Sequence, residues 1–482
     1  MAVSGFLHGV QVVDIDDGTN TISAVSSSVI GLVGTAPNAD PAAFPLDTPV
    51  IIAGSASLAA KLSSNVVGTD YGTLPGAIQD IFNQIGAAVV VVRVAPGASD
   101  SQMAANVIGG AQADGRYTGA HALLHAQSIT GSKPRILIAP GFTHQRTANG
   151  VVSLSISAAG VGLTDGIYAL TISGGGSGSG ASATATVAGG IVLTVTLTTA
   201  GGGYTSVPTF SLPASAGSGA GVTAPTFAVT VGTVASAVTA AMLPIANSLR
   251  AVIVQDGPNT TNNDAIAMAG DIASPRVYLA DSWVTVLDQI SATNVTRPGS
   301  AAIAGLIAAS DNAYGYWRSP SNQTFGGVIG LGRPVDFALG DQNCSANLLN
   351  AANVATAIRY SGFRLWGNRT LSAESSTAFL CVQRMRDIID DSIEAASLWA
   401  VDRGITKGFV DAVLEEVNAF LRSLVTAGAI LGGKCWIDPD QNPASKIASG
   451  EITFDFEFTP AYPAENITFR SHLTNNYVST IF

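Results

Sequence analysis

Positions 147–249 hold a single charged residue, Asp165, and no histidine; Gly, Ser, Thr, Ala and Val dominate them. Such a stretch cannot present the charged surface of an ordinary domain, yet its apolar residues are ordered rather than scattered. VVSLSIS (151–157), ASATATV (181–187) and IVLTVTLTT (191–199) alternate with period two, the pattern of strands buried on one face. The Gly/Ser run 174–180 and the glycines 201–203 read as turns between them. GSGSGASATATV (176–187) is loosely echoed by GSGAGVTAPTFAV (217–229), which suggests two related units. The stretch reads as a small all-β domain rather than a linker.

A different grammar flanks it. AIQDIFNQIGAAVVVVRVA (77–95) and MLPIANSLRAVIVQDGP (242–258) each read as a helix followed by a strand, and RILIAPGFT (135–143) as a strand ending in a turn. Runs such as VVVVRV are apolar but for Arg93, as expected of strands covered by helices on both faces. The economical account is one discontinuous α/β core, 26–146 plus 240–365, interrupted by an inserted β domain at 147–239. A C-terminal α+β domain is expected over 366–466. It comprises two long periodic helices (379–402 and 408–430) and a strand at 451–460 carrying Phe454, Phe456 and Phe458. Extended arms remain at both ends, 1–25 and 467–482. Their alternating, β-prone patterns lack an intramolecular neighbour and suit strands that add to a sheet edge.

Charge narrows the function. Only 11% of the 482 residues are charged, against 47% hydrophobic, where a soluble protein averages about 25% charged. A core is therefore available, and the surface is unusually neutral. The net charge of −11 opposes a nucleic-acid partner. Cys344, Cys381 and Cys435 form no CxxC pair, so neither a zinc site nor a disulfide framework is expected. The start MAVSGFLHGV lacks a signal-peptide pattern, and the most apolar run, 86–94, is too short to span a bilayer. Cytoplasmic synthesis without direct membrane insertion is expected.

Catalytic motifs mostly fail. GAILGGKC (428–435) approximates a P-loop but has Cys435 for the magnesium-binding hydroxyl and a helix where a strand should precede; a helix C-cap at Gly432 and Gly433 is the better reading. DPDQNP (438–443) has Pro443 where a calcium loop needs glycine. The His121/His125 pair lacks the HExxH context, and no GxSxG elbow occurs. No cofactor, metal or catalytic residue is expected.

IAGLIAASDNAYGYWRSPSN (303–322), ANLLN (346–350) and GFRLWGNRTL (362–371) resemble the contractile tail sheath proteins of myophages and R-type pyocin-like particles. The resemblance extends to HGVQVVDID (8–16), SSVIGLVGTAP (27–37), the C-terminal helices and 428–442, nearly everything outside 147–240. Two departures are local: Ala309 and Ser310 stand where an Arg often precedes the Asp at 311, and RPGS (297–300) replaces Pro-Pro-Ser.

The resemblance implies a structural subunit that stacks as six-membered rings around a rigid tail tube and contracts to drive that tube through the host envelope. It implies an α/β core of the kind named subtilisin-like, a label of fold without the Asp, His and Ser motifs of such a site. It further implies a variable, outward-facing insertion and a virion location after assembly in the host cytoplasm. The implied partners are other copies of the chain, the tail tube protein, and baseplate and tail terminator proteins. The competing readings are an α/β hydrolase-like virion enzyme and another tail or baseplate structural protein.

Specific residues are then expected to carry the assembly. Val10, Val12 and Ile15 on the first arm, and Ile467, Phe469 and Tyr477 on the last, would join a neighbour's sheet at Phe454, Phe456 and Phe458. Sheaths of this family meet the tube through a C-terminal-domain helix. Here the helix over 406–430, whose polar stripe holds Asp411, Glu415, Asn418 and Arg422, is the leading candidate, through Asp411, Glu415 and Arg422. The segment 383–399, with Asp387, Asp391 and Glu394, is the alternative.

Overall fold

The structure, a computed structural model, describes residues 22–64, 70–217, 221–477 and 480. The first arm's Val10, Val12 and Ile15 lie outside the described residues. Chain contacts divide the protein into two units, 27–384 with 463–482, and 1–26 with 385–462.

The larger unit is built on eight strands: β1 (Ile30–Thr35), β2 (Val50–Ala53), β3 (Ala88–Val94), β4 (Ile136–Ile138), β5 (Val252–Asp256), β6 (Val277–Asp281), β7 (Ala355–Arg359) and β8 (Phe363–Trp366). They lie in the order β2-β3-β1-β4-β5-β6-β7-β8. All interior pairings are parallel, and only the edge pairs β2/β3 and β7/β8 are antiparallel. Unbroken apolar runs follow from this placement. Val89 and Val91, with Ile30, Leu32, Ile136 and Ile138, enter one core under the helices Leu74–Phe82 and Ser300–Tyr314. Val90 and Val92, with Val33, Leu137 and Ile253, enter another under the helix Ala237–Leu249. The α/β reading of the core is what the structure contains.

The insertion begins and ends on one rung. Its strand Thr147–Ala158 pairs antiparallel with Thr226–Val234, and Thr147 lies opposite Val234. Between them Ile191–Gly202, Ser179–Ala188 and Gly166–Ala169 form a three-stranded sheet. A separate core includes Leu163, Val187, Val192, Tyr204 and Phe210. Asp165 serves a turn, its carboxylate accepting the Gly190 N–H at 3.0 Å. The two echoing segments are not structural equivalents. The first supplies the middle strand of the three-stranded sheet, and the second supplies one arm of the two-stranded ribbon.

In the smaller unit the helix Lys407–Thr426 starts at an N-cap, Thr406, whose side chain accepts the Phe409 N–H. It buries Val413, Val417, Phe420, Leu421 and Leu424. The helix ends at Ala427, followed by Gly428 at φ +77°. The expected cap at Gly432 and Gly433 is therefore displaced. Both glycines lie in the strand Ile430–Trp436, which pairs antiparallel with Asp455–Pro460. At Gly433 a Cβ would come within 3.3 Å of the Leu421 side chain, so strand and helix pack closely there.

Two expected extents also shorten. The strand read over 451–460 is Asp455–Pro460, leaving Phe454 just outside. The Asn442 side chain brackets Thr453, accepting its N–H at 2.7 Å and donating to its carbonyl at 3.0 Å, which holds the chain off the ladder. The segment 467–477, expected to be extended and β-prone, carries no strand. Among the described residues no helix is long and apolar enough to cross a membrane.

Candidate assembly surfaces

The hairpin Ile430–Trp436/Asp455–Pro460 is a two-stranded sheet, and two-stranded sheets are marginal alone. Asn418 closes part of one edge. Its amide donates to the Cys435 carbonyl at 3.0 Å, and its carbonyl accepts the Cys435 N–H at 2.9 Å. With both main-chain groups of Cys435 used outward, Cys435 and Phe456 form a non-hydrogen-bonded pair, and the pattern repeats every second residue. The N–H and C=O of Phe456 and Phe458 thus point to the opposite, outer edge. Among the described residues no strand covers that edge. Asn418, grouped by helical spacing with Asp411 and Arg422, is instead the hairpin's anchor.

The last arm leaves the larger unit at a built anchor. WGNRT (366–370) and SPSN (319–322), distant in sequence, are stitched together: the Gly367 N–H donates to Ser321 Oγ at 3.0 Å, and the Asn322 N–H to the Leu365 carbonyl at 2.6 Å. The buried Tyr278 hydroxyl donates to the Gly367 carbonyl at 2.6 Å. Gly367 has φ +135°, and a Cβ there would sit 2.7 Å from Ala355 Cα. This rigid corner presents Arg369, which grips Glu465 in a fork, Nε to Oε1 at 2.8 Å and Nη2 to Oε2 at 2.6 Å. The Phe379 ring lies 5.2 Å below the guanidinium. Beyond Glu465 the apolar side chains face solvent: Ile467 is 66% exposed, Phe469 92% and Tyr477 74%. A singly exposed apolar residue needs no explanation; here several stand exposed in succession on one anchored segment without secondary structure.

On the helix Lys407–Thr426, Asp411, Glu415 and Arg422 are exposed on one face, as their spacing suggests. They are also paired: Lys407 Nζ lies 3.2 Å from Asp411, and Arg422 Nη2 lies 2.5 Å from Glu415. In the alternative segment Asp387 and Asp391 are buried, leaving Glu394 exposed. That segment presents less charge than its sequence indicates.

The two family departures sit at polar joints. Asp311 accepts from Arg384 Nη1 at 2.8 Å and from the Ser27 hydroxyl at 2.8 Å, and both side chains of the Arg384–Asp311 pair are only 3% exposed. In RPGS, the Ser300 N–H and hydroxyl each donate to Asp256 at 2.8 Å. Burial pushes the Asp256 carboxyl up to about 6 against these bonds. The weak motifs resolve as scaffold: the Asp438 carboxylate accepts the Asp440 N–H in a tight turn, and His121 Nδ1 lies 2.9 Å from the Ile108 carbonyl. Among the described residues no three His, Cys, Asp or Glu side chains gather as a metal site.

Residues 218–371 match the phage tail sheath protein central domain, and 372–474 the phage tail sheath C-terminal domain. A putative prophage major tail sheath protein of Pseudomonas aeruginosa (strain UCBPP-PA14) is 35% identical over 479 residues, covering 99% of this chain and 98% of that protein. The tail sheath protein of Escherichia phage P2 is 29% identical, with 99% and 98% covered. Among solved structures, the sheath of an extracellular contractile injection system (PVC), in its contracted state, superposes with a TM-score of 0.58 at 15% identity. It covers 99% of this chain and 100% of that one. The helical sheath of the anti-feeding prophage, also contracted, gives 0.58 at 14% identity, with 98% and 100% covered. The chain belongs to the phage tail sheath family.

Proposed function

We propose that this sheath subunit polymerises as stacked rings of six around a tail tube, through exchange of its extended arms, and contracts to drive the tube through the host envelope. The observation that supports the reading is a complementary pair within one protomer: an open strand edge at Phe456 and Phe458, and an anchored, solvent-facing apolar arm from Ile467 onward. An arm bound along a neighbour's edge gains main-chain hydrogen bonds and buries its aromatic side chains. A head-to-tail contact of this kind that does not close builds a helix of subunits. The first arm, with Val10, Val12 and Ile15, is proposed to add to the same sheet. The tail tube protein and baseplate and tail terminator proteins are the proposed partners, and the host cytoplasm the place of assembly. Negative-stain microscopy of the purified chain tests the reading: hollow cylinders are expected, and monodisperse particles under all salt conditions would reject it.

The insertion is proposed to face outward as a self-contained decoration. Thr147 and Val234 lie opposite each other on one rung, so a short bridge can replace everything between them. A variant with a Gly/Ser bridge joining Arg146 to Ala235, which keeps the Arg146–Asp271 pair and the whole helix Ala237–Leu249, is expected to polymerise normally, as seen by microscopy. Loss of solubility would assign the insert to the core.

For the tube contact we propose the face of Asp411, Glu415 and Arg422. A grip released on contraction suits many exposed ion pairs, each worth about 0–1 kcal/mol, and contraction as a rigid-body movement of subunits would break them while the strand linkages persist. Asp411→Lys with Glu415→Lys is expected to lower the yield of sheathed tubes and steepen its salt dependence, while cylinders still form without tubes. Unchanged yield and salt response would move the contact elsewhere.

A further inference from the structure

At β1 the chain order of the sheet reverses, with β3 on one side and β4 on the other. In open α/β sheets, the crevice outside the strand carboxyl ends at such a point is where ligands bind. Here it holds a cavity of about 400 Å³. Thr73, at the start of the helix Leu74–Phe82, and Gly141, beyond β4, bound it on the sheet side. Asp80, Asp288 and Arg297 form its charged wall, and the exposed Asp70 also lines it.

The charges on that wall do not balance. Arg297 Nη2 is 3.3 Å from Asp288, and its Nε is 3.6 Å from Asp80, too far for a hydrogen bond. Asp288 is otherwise served by the Ser291 N–H at 2.7 Å. Asp80 is 1% exposed, and its Oδ1 is buried with no hydrogen-bond partner. Arg297 Nε is likewise unsatisfied. One guanidinium is thus stretched between two buried carboxylates, and burial pushes the Asp80 carboxyl up to about 7. A buried carboxylate in this position either stays protonated or draws in a further cation. Gly76 belongs to the same arrangement, because the Arg297 guanidinium occupies the place of its missing Cβ. Tyr71, Ile290 and Val295 give the remaining wall an apolar character.

We propose that this cavity binds a primary ammonium group on a short aliphatic stem, with Asp80 Oδ1 as the acceptor and the stem against the apolar wall. Neither the sheath assignment nor the arm exchange requires it. The same chemistry has two sources, a free alkylamine or a lysine side chain of another copy of the chain.

Titration calorimetry of the full-length protein with 1-aminopentane tests the site, with 1-pentanol and pentanoate as neutral and anionic counterparts. Saturable one-to-one binding of the amine is expected, at least about tenfold tighter than either counterpart. Asp80→Asn should weaken it about tenfold or more, the scale of a lost charge-assisted hydrogen bond. On the unaltered protein near pH 7, amine binding should ionise Asp80 and release protons, so the heat should vary with buffer ionisation enthalpy. This second readout holds even if the variant does not fold. Binding to both protomer and polymer identifies a free amine as the occupant, and binding to the protomer alone identifies a neighbour's lysine. Absence of saturable amine binding, pentanoate binding as tightly as the amine, or heats independent of buffer would overturn the proposal.

Discussion

Removal of residues 467–482 is expected to leave a folded, soluble protomer that forms no cylinders at any salt concentration. Ile467, Phe469 and Tyr477 are mostly solvent-exposed, and Leu473 is fully so, so the protomer loses no buried contact with them. Exposed positions of this kind change stability by about 0.5 kcal/mol or less, and the Arg369–Glu465 fork lies before the cut. Polymerisation would instead lose a whole strand at every subunit contact. Urea denaturation should overlay that of the full chain, while sedimentation shows a single small species. Deleting residues 1–18 should give the same separation of folding from assembly. Cylinders of normal length from either truncation would exclude arm exchange, and a large drop in stability would mean the arm serves its own protomer.

The second large effect concerns the fold itself. Asp311→Ala removes from Arg384 a carboxylate partner in a pair whose side chains are 3% exposed, and the Ser27 hydroxyl loses its acceptor as well. Breaking a buried pair from one side costs about 3–5 kcal/mol, because the remaining charge stays out of water. A fall of that size in urea unfolding free energy is the expected outcome. Replacing both partners, Arg384→Met with Asp311→Leu, should recover much of it, since well-packed apolar pairs often substitute for buried ion pairs. A cost below about 1 kcal/mol for Asp311→Ala would show that solvent reaches the pair.

Much of the core was legible because its signal is local. VVVVRV is apolar at every position but Arg93, and its valines do divide alternately between two cores. The charge-free alternation of the insertion likewise has its own core. The readings that failed depend on partners far along the chain. Gly432 and Gly433 resemble a helix cap until the strand Asp455–Pro460 is placed beside them. Asn418 shares a helical stripe with Asp411, but only the returning hairpin decides that it bonds Cys435. Arg369 and Glu465 are 96 positions apart, and nothing in either neighbourhood announces the fork. Asp80 reads as an ordinary acidic residue on an amphipathic helix until Arg297 arrives from the other end of the fold. The last arm is the reverse case: alternation was visible in 467–482, yet the described residues 467–477 form no strand, because a period-two pattern marks a β-prone segment without naming the strand it pairs with.

Cryo-electron microscopy of the polymerised full-length chain tests the arm exchange most directly. Density for residues 466–477 should run as an added strand along the open edge of a neighbour's Asp455–Pro460, with Phe469 packed beside Phe456. An arm folded back onto its own hairpin, or a bare Asp455–Pro460 edge in the polymer, would contradict the account.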